Sequence, residues 1–302
     1  MDKEELKCFI KEKRSETYPS TLDSVFDSFI KLNLHNEDTT YFLNNASDII
    51  EQLRNLTWED FLEIESQFTQ CVLGELISDD VRNNPSIEEG VYAFIQENTE
   101  AMYVLSLSNT QSRRSRAGSE FEHILSLLFM GANIAFDEQG LIGSGIFDTR
   151  HLAKLVDHVI PGVTEYKIHK RDTIAISAKT TLRERWQQVG DEMSRTRMPE
   201  MYLATLDETI GDNTIEKLQE NNVYPVTTRT IKNMYYSTHS SVMTFEELLR
   251  DLTRISNLWT IDRYSEEQIK EIKNKLNLAI SNNEDKEYIK NYFERQLARF
   301  EQ

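Results

Sequence analysis

The segment DTIAISAKTTLRERWQQVGDE, Asp172 to Glu192, decides how the chain is read. Its first half alternates. Ile174, Ile176 and Ala178 fall on one side, and Thr173, Ala175, Ser177 and Lys179 on the other, which is the period of a strand. Its second half has Leu182, Trp186, Val189 and Met193 at helical spacing, so a helix from about Thr181 to Thr196 follows the strand. Downstream, EMYLATLD reads as a strand, TIEKLQENN as a helix and VYPVTT as a strand. Strand–helix alternation of this kind gives an α/β core with neighbouring parallel strands.

The flanks read as helices. LDSVFDSFIKL and NASDIIEQLRNL have apolar residues at helical spacing, and Thr57 is placed to cap a separate helix through WEDFLEIESQFTQCVLGEL. A further helix starts after Pro85, and Ser119-Glu-Phe-Glu122 has the pattern of a capping box opening a buried helix, FEHILSLLFMG. Thr244-Phe-Glu-Glu247 is a second such box, followed by the amphipathic SEEQIKEIKNKLNLAI and EDKEYIKNYFERQLARF. GLIGSGIFD, Gly140 to Asp148, lacks the Lys-Ser/Thr of a P-loop and reads as a loop or hairpin. One domain over 1–302 is the simplest organisation: helical to about 110, α/β from about 111 to 240, and helical from about 241 to 302.

The 302 residues carry a net charge of −17, which by itself argues against a polyanionic partner. The positive charge is concentrated, however. Six basic and three acidic residues lie between Val163 and Gln188, and QSRRSR sets Arg113, Arg114 and Arg116 together without an acid. No apolar run is long enough to span a membrane, and the charged N-terminus has no signal-peptide core. Cys8 and Cys71, the only cysteines, form neither a disulfide framework nor a zinc pattern and fit a reducing cytosol.

Lys179 shares a strand face with Ser177, opposite Ile174 and Ile176, and so is expected to emerge at the strand end on the non-core side. Asp157 lies upstream in HLAKLVDHVIPG, and Glu192 lies on the helix that follows the lysine. Two carboxylates and a lysine at a strand end suit a nuclease. The acids hold Mg²⁺, and the lysine orients water or neutralises charge on the phosphorane. Ser177 stands where the PD…(D/E)xK signature wants an acid, and Glu192 would replace it. Simpler readings exist beside this one. A strand-end lysine is ordinarily just exposed, Glu192 has Arg195 three residues on, and the capping box alone accounts for Glu122. Arg183, Glu184 and Arg185 have no charged partner at helical spacing and fan over about 200° of a helix. Arginine forks match O6 and N7 of guanine and a carboxylate accepts from N4 of cytosine, so Arg-Glu-Arg suits G·C readout at about 1–3 kcal/mol per good bidentate contact.

Asp157, Ser177-Ala-Lys179, Arg183-Glu184-Arg185 and Glu192 together resemble the type II restriction endonucleases of the SsoII kind, cutters of 5′-CCNGG related to EcoRII, PspGI and, more distantly, NgoMIV. RAGSEFE, Arg116 to Glu122, resembles the family segment that carries an additional active-site glutamate, here Glu122. The resemblance implies a restriction-endonuclease-like core, a PD-(D/E)xK variant with a mixed central sheet flanked by helices. It also implies a Mg²⁺-dependent homodimer on double-stranded DNA, paired with a cognate methyltransferase in a prokaryotic cytoplasm. It implies cleavage before the outer cytosine and flipping of the central base pair. Trp58 and Arg54 then match the positions that sandwich the extruded base, and Gln111 a position near the central pair; without the resemblance, Trp58 reads as a first-turn helix residue covering the core. Two alternatives stay open at this point: a related nuclease reading CCWGG or CCGG, and a non-catalytic DNA-binding protein of the same fold.

Overall fold

The computed structural model describes residues 3–138, 156–182, 186–187, 189–190, 193 and 198–301. They fall into two compact units, Met1–Ser28 with Arg54–Glu120, and Phe29–Leu53 with Phe121–Gln302.

The first unit is helical. Leu6 and Ile10 of the helix Lys3–Thr17, Phe68 and Val72 of the helix Ala46–Glu75, and Ala101, Val104 and Leu105 of the helix Ile87–Gly131 bury one stripe each in a shared core. These are i, i+3 and i+4 spacings, so each set lies on one face of its helix.

Two helix boundaries read from the sequence are corrected. Ala46–Glu75 runs unbroken through Thr57, which caps nothing. Its side chain is buried, and its hydroxyl donates to Ser28 Oγ at 3.0 Å. Trp58 is therefore a mid-helix residue rather than a first-turn one. Ile87–Gly131 runs unbroken through Ser119 and Glu122, so the capping-box pattern there lies in a helix interior and has no orphan N–H groups to satisfy. Propensity patterns mark where a helix can begin, and here the apolar stripe continuing on both sides overrides them.

The second unit is built on one six-stranded sheet in the order β1 (Asp137–Glu138), β2 (His158–Ile160), β3 (Ile174–Lys179), β4 (Met201–Thr205), β5 (Val223–Thr227), β6 (Met243–Thr244). β1, β2 and β3 pair antiparallel, and β3 to β6 pair parallel, so the sheet is mixed. The expected β3–β4–β5 core is present, with the helix Asp212–Glu220 between β4 and β5. Pro225 fits inside the sheet because β6 pairs only with Val226 and Thr227, leaving no ladder bond for the missing N–H on that side.

β3 is buried on both faces, as parallel strands usually are. Ala175, on the face of Ser177 and Lys179, packs with Leu203, Val223 and the partly buried Trp186. The expectation that this face points away from the core is thus wrong, because helices cover both sides of the sheet. Thr244 caps the helix Phe245–Ser256 in a complete capping box with Glu247, as read. Helices Glu266–Asn282 and Glu287–Ala298 close the chain. Gly131 lets the end of its helix meet the Phe42 ring; a Cβ there would sit 2.3 Å from ring carbons.

Candidate active site

The antiparallel pairing of β2 with β3 positions the first acid. His158 lies opposite Ile176, and the N–H of Asp157, one residue before β2, donates to the Ile176 carbonyl at 2.9 Å. This ladder bond carries Asp157 to the end of β3. Its Oδ2 accepts from the Ala178 N–H at 2.6 Å and from Lys179 Nζ at 3.1 Å. Both side chains are mostly buried, 13% and 19% exposed, so the ion pair is screened far less than a surface one. Asp157 Oδ1 makes no hydrogen bond among the described residues.

Glu122 enters from the helix Ile87–Gly131. Its carboxyl is pushed up to about 7, first by burial and then by the negative charge of Asp157; His158 and Lys179 pull the other way. Three elements therefore bring Glu122, Asp157 and Lys179 into one electrostatic neighbourhood. Hard carboxylate oxygens on a half-buried site suit Mg²⁺, and a divalent cation would offset both the burial and the Asp157 charge that raise Glu122. Among the described residues no three His, Cys, Asp or Glu side chains form a metal cluster. The other expected ligand, Glu192, lies outside the described residues, as do Arg183, Glu184, Arg185 and the glycine-rich Gly140 to Asp148.

Beneath these groups is a polar cluster that sequence reading missed. Ser126 Oγ lies 3.1 Å from the Glu122 carbonyl, 3.0 Å from His158 Nε2 and in hydrogen-bond contact with the Glu138 carboxylate. His158 Nε2 is also 3.6 Å from Glu138 Oε2, and all three side chains are buried. Burial opposes the Glu138 charge, but the adjacent His158 imidazole and the Ser126 hydroxyl outweigh it and hold the carboxyl below its usual range. The available signal was weak: a His next to Asp157, and a Ser one helical turn after Glu122.

In the first unit, Arg54 and Trp58 are neighbours on the helix Ala46–Glu75, with the guanidinium 5.7 Å from the indole centroid. Trp58 is half-buried and stacks on Phe61 at 5.2 Å and 24°. Glu120, 1% exposed, lies 3.4 Å from Arg54 Nη1 and 3.2 Å from Arg116 Nε. Burial pulls the Arg54 pKa down while Glu120 supports its charge. Glu120 was not singled out from the sequence, although it sits i+4 from Arg116. Gln111 is exposed on the helix Ile87–Gly131.

The family model for the EcoRII C-terminal domain matches residues 80–249. The type II restriction enzyme SsoII of Shigella sonnei is 41% identical over 294 residues, 97% of this chain and 96% of its own length. The chain belongs to the SsoII-like type II restriction endonucleases. As a member of this family it is an endonuclease that acts on DNA. A solved structure of metal-depleted Ecl18kI in complex with uncleaved DNA superposes with a TM-score of 0.92 at 40% identity, covering 99% of this chain and 100% of that one. The PspGI–substrate DNA complex shares the fold, with a TM-score of 0.59 at 17% identity over 80% of this chain and 94% of that one. No helix among the described residues of this family member is long and apolar enough to cross a membrane.

Proposed function

We propose that this endonuclease hydrolyses double-stranded DNA at 5′-CCNGG before the first cytosine, in a Mg²⁺-dependent reaction, flipping the central base pair. The observation that carries the catalytic part is Asp157 bonded through Oδ2 to Lys179 with Glu122 alongside, each from a separate element.

Asp157 and Glu192 hold the metal, and Glu122 supports the site as a neighbour or a further ligand. When bound, the cation supplies Lewis acidity and lowers the pKa of water. Lys179 is fixed by Asp157 with two N–H donors left over. It orients the attacking water or meets charge developing on the phosphorane. Arg183, Glu184 and Arg185 read the C·G and G·C pairs, and Gln111 contacts bases near the centre.

Trp58 and Arg54 stack on the extruded base, offsetting the few kcal/mol of lost stacking. A base between them needs about 7 Å, two stacking intervals of about 3.4 Å. The pair therefore opens slightly from its present 5.7 Å when the base enters.

The near-palindromic site calls for a homodimer. A cognate methyltransferase protects the host DNA in the same bacterial cytoplasm.

Digestion of a sequenced plasmid with Mg²⁺, followed by sequencing of the ends, tests this directly. Ends at 5′-CCNGG with all four central bases support it. Cutting restricted to CCWGG or CCGG, or no cutting, overturns the stated specificity or activity.

A further inference from the structure

The first unit contains a cleft of about 850 Å³ between the helix Lys3–Thr17 and the middle of the helix Ile87–Gly131. Fourteen residues line it, and five of them are cations: Lys3, Lys7, Lys11, Arg14 and Arg116. None is a carboxylate, although the chain has 51 acids against 34 basic residues. The N-terminal helix itself is nearly neutral, with Glu4, Glu5, Glu12 and Glu16 on it. Its charges are sorted by face. Positions 3, 7, 11 and 14 recur at i, i+4, i+8 and i+11 and look into the cleft, while the acids do not line it.

The cations have two roles. Arg14 donates to Ser108 Oγ at 3.2 Å and Asn109 Oδ1 at 2.6 Å and lies 4.4 Å over the Phe68 ring. Arg116 is tied to Pro19, Ser24 and Glu120. These two fix the floor. The lysines form an exposed rim. Lys3 pairs with Glu100 at 3.0 Å and Lys7 with Glu4 at 2.6 Å, and exposed pairs of this kind are weak and easily exchanged. Lys11 has no ion-pair partner among the described residues. Facing them, Ser108, Ser112 and Ser115 present hydroxyls at i, i+4 and i+7. Lysine, arginine and serine are the donors that contact phosphate oxygens in DNA complexes.

Gln111 lines the same cleft. If Gln111 contacts bases near the centre of the site, the lysine row runs away from them: Arg14 bonds Ser108 and Asn109 beside Gln111, and Lys3 pairs with Glu100 about three turns earlier. From Lys3 to Arg14 the helix rises about 16 Å, whereas half of a five-base-pair site measures only about 8.5 Å. We infer that this cleft binds the phosphate backbone of duplex DNA flanking the recognition sequence, through Lys3, Lys7, Lys11 and the serine row. The inference rests on the proposed role of Gln111.

The test is equilibrium binding of the full chain by fluorescence anisotropy, in EDTA, across a salt series. The duplexes carry one 5′-CCNGG with flanks of two or twelve base pairs, beside an unrelated duplex. The triple variant Lys3→Gln/Lys7→Gln/Lys11→Gln is compared with Lys270→Gln/Lys273→Gln from the helix Glu266–Asn282. The expected result is a plot of log K against log salt flatter by about 2–3 for the triple variant on long duplexes, with loss of the affinity gained from long flanks. Its preference for the site over the unrelated duplex stays as in the wild type, and the control pair changes neither. An unchanged slope and flank dependence, or an equal change in the control, overturns the inference. A wild type that does not prefer the site duplex at all counts against the proposed recognition instead, so the two failures are distinguishable.

Discussion

Glu122 is buried beside Asp157, and burial first, then the negative charge of Asp157, pushes the Glu122 carboxyl up to about 7. The consequence for stability has a definite sign. A carboxyl with a folded pKa of about 7 and an unfolded value near 4.5 binds more protons folded than unfolded between those values, so stability falls as pH rises through that window. In EDTA, Glu122→Gln is expected to stabilise the protein by up to about 3 kcal/mol above pH 7 and to have no effect below pH 4. Urea unfolding at both pH values checks this, and a destabilised variant at pH 8 contradicts it.

Lys179→Ala removes the donor that Asp157 positions. Cleavage should fall by about 10²–10³ or more, while anisotropy shows binding of the 5′-CCNGG duplex retained. Cutting at the wild-type rate eliminates Lys179 from the chemistry.

Trp58→Ala should leave the duplex bound about 1–3 kcal/mol more weakly, the usual worth of one base–aromatic stack. With 2-aminopurine at the central position, the wild type should brighten the probe on binding, and the variant should alter that signal. A probe that stays dark with wild type denies the flipped-base pocket.

His158→Ala leaves Glu138 buried without its imidazole partner. Leaving a buried acceptor without a partner costs about 1–3 kcal/mol, and more for a carboxylate, and a Glu138→Gln/His158→Ala double variant should recover part of it. Denaturant midpoints for the two variants decide the matter.

The sequence made β3, β4 and β5 and the intervening helix readable, because each strand carries a period-2 or continuous apolar run. It did not reveal β1 and β2. Two carboxylates in Asp137–Glu138 and three residues in His158–Ile160 offer no period, and the strands exist because neighbours complete their ladders. Thr57 and Ser119–Glu122 misled for the opposite reason: local cap chemistry was present inside helices fixed by packing on either side. Asp157 and Lys179 could be nominated by residue type, since a strand end joins them. The Ser126–Glu138–His158 cluster could not, because three separate elements meet there and no spacing encodes that meeting.

The two oxygens of the Asp157 side chain are not equivalent. Oδ2 is committed to the chain through Ala178 N–H and Lys179 Nζ, so it faces only donors. An asparagine there can preserve those bonds in one orientation only, with its carbonyl oxygen at the Oδ2 position and its amide nitrogen where Oδ1 was. Folding selects that orientation, and in it the group left for the proposed cation is a pair of N–H donors. Asp157→Asn is thus a decoy built by the fold itself: natively shaped, still able to hold its strand end, and presenting the wrong polarity to a metal.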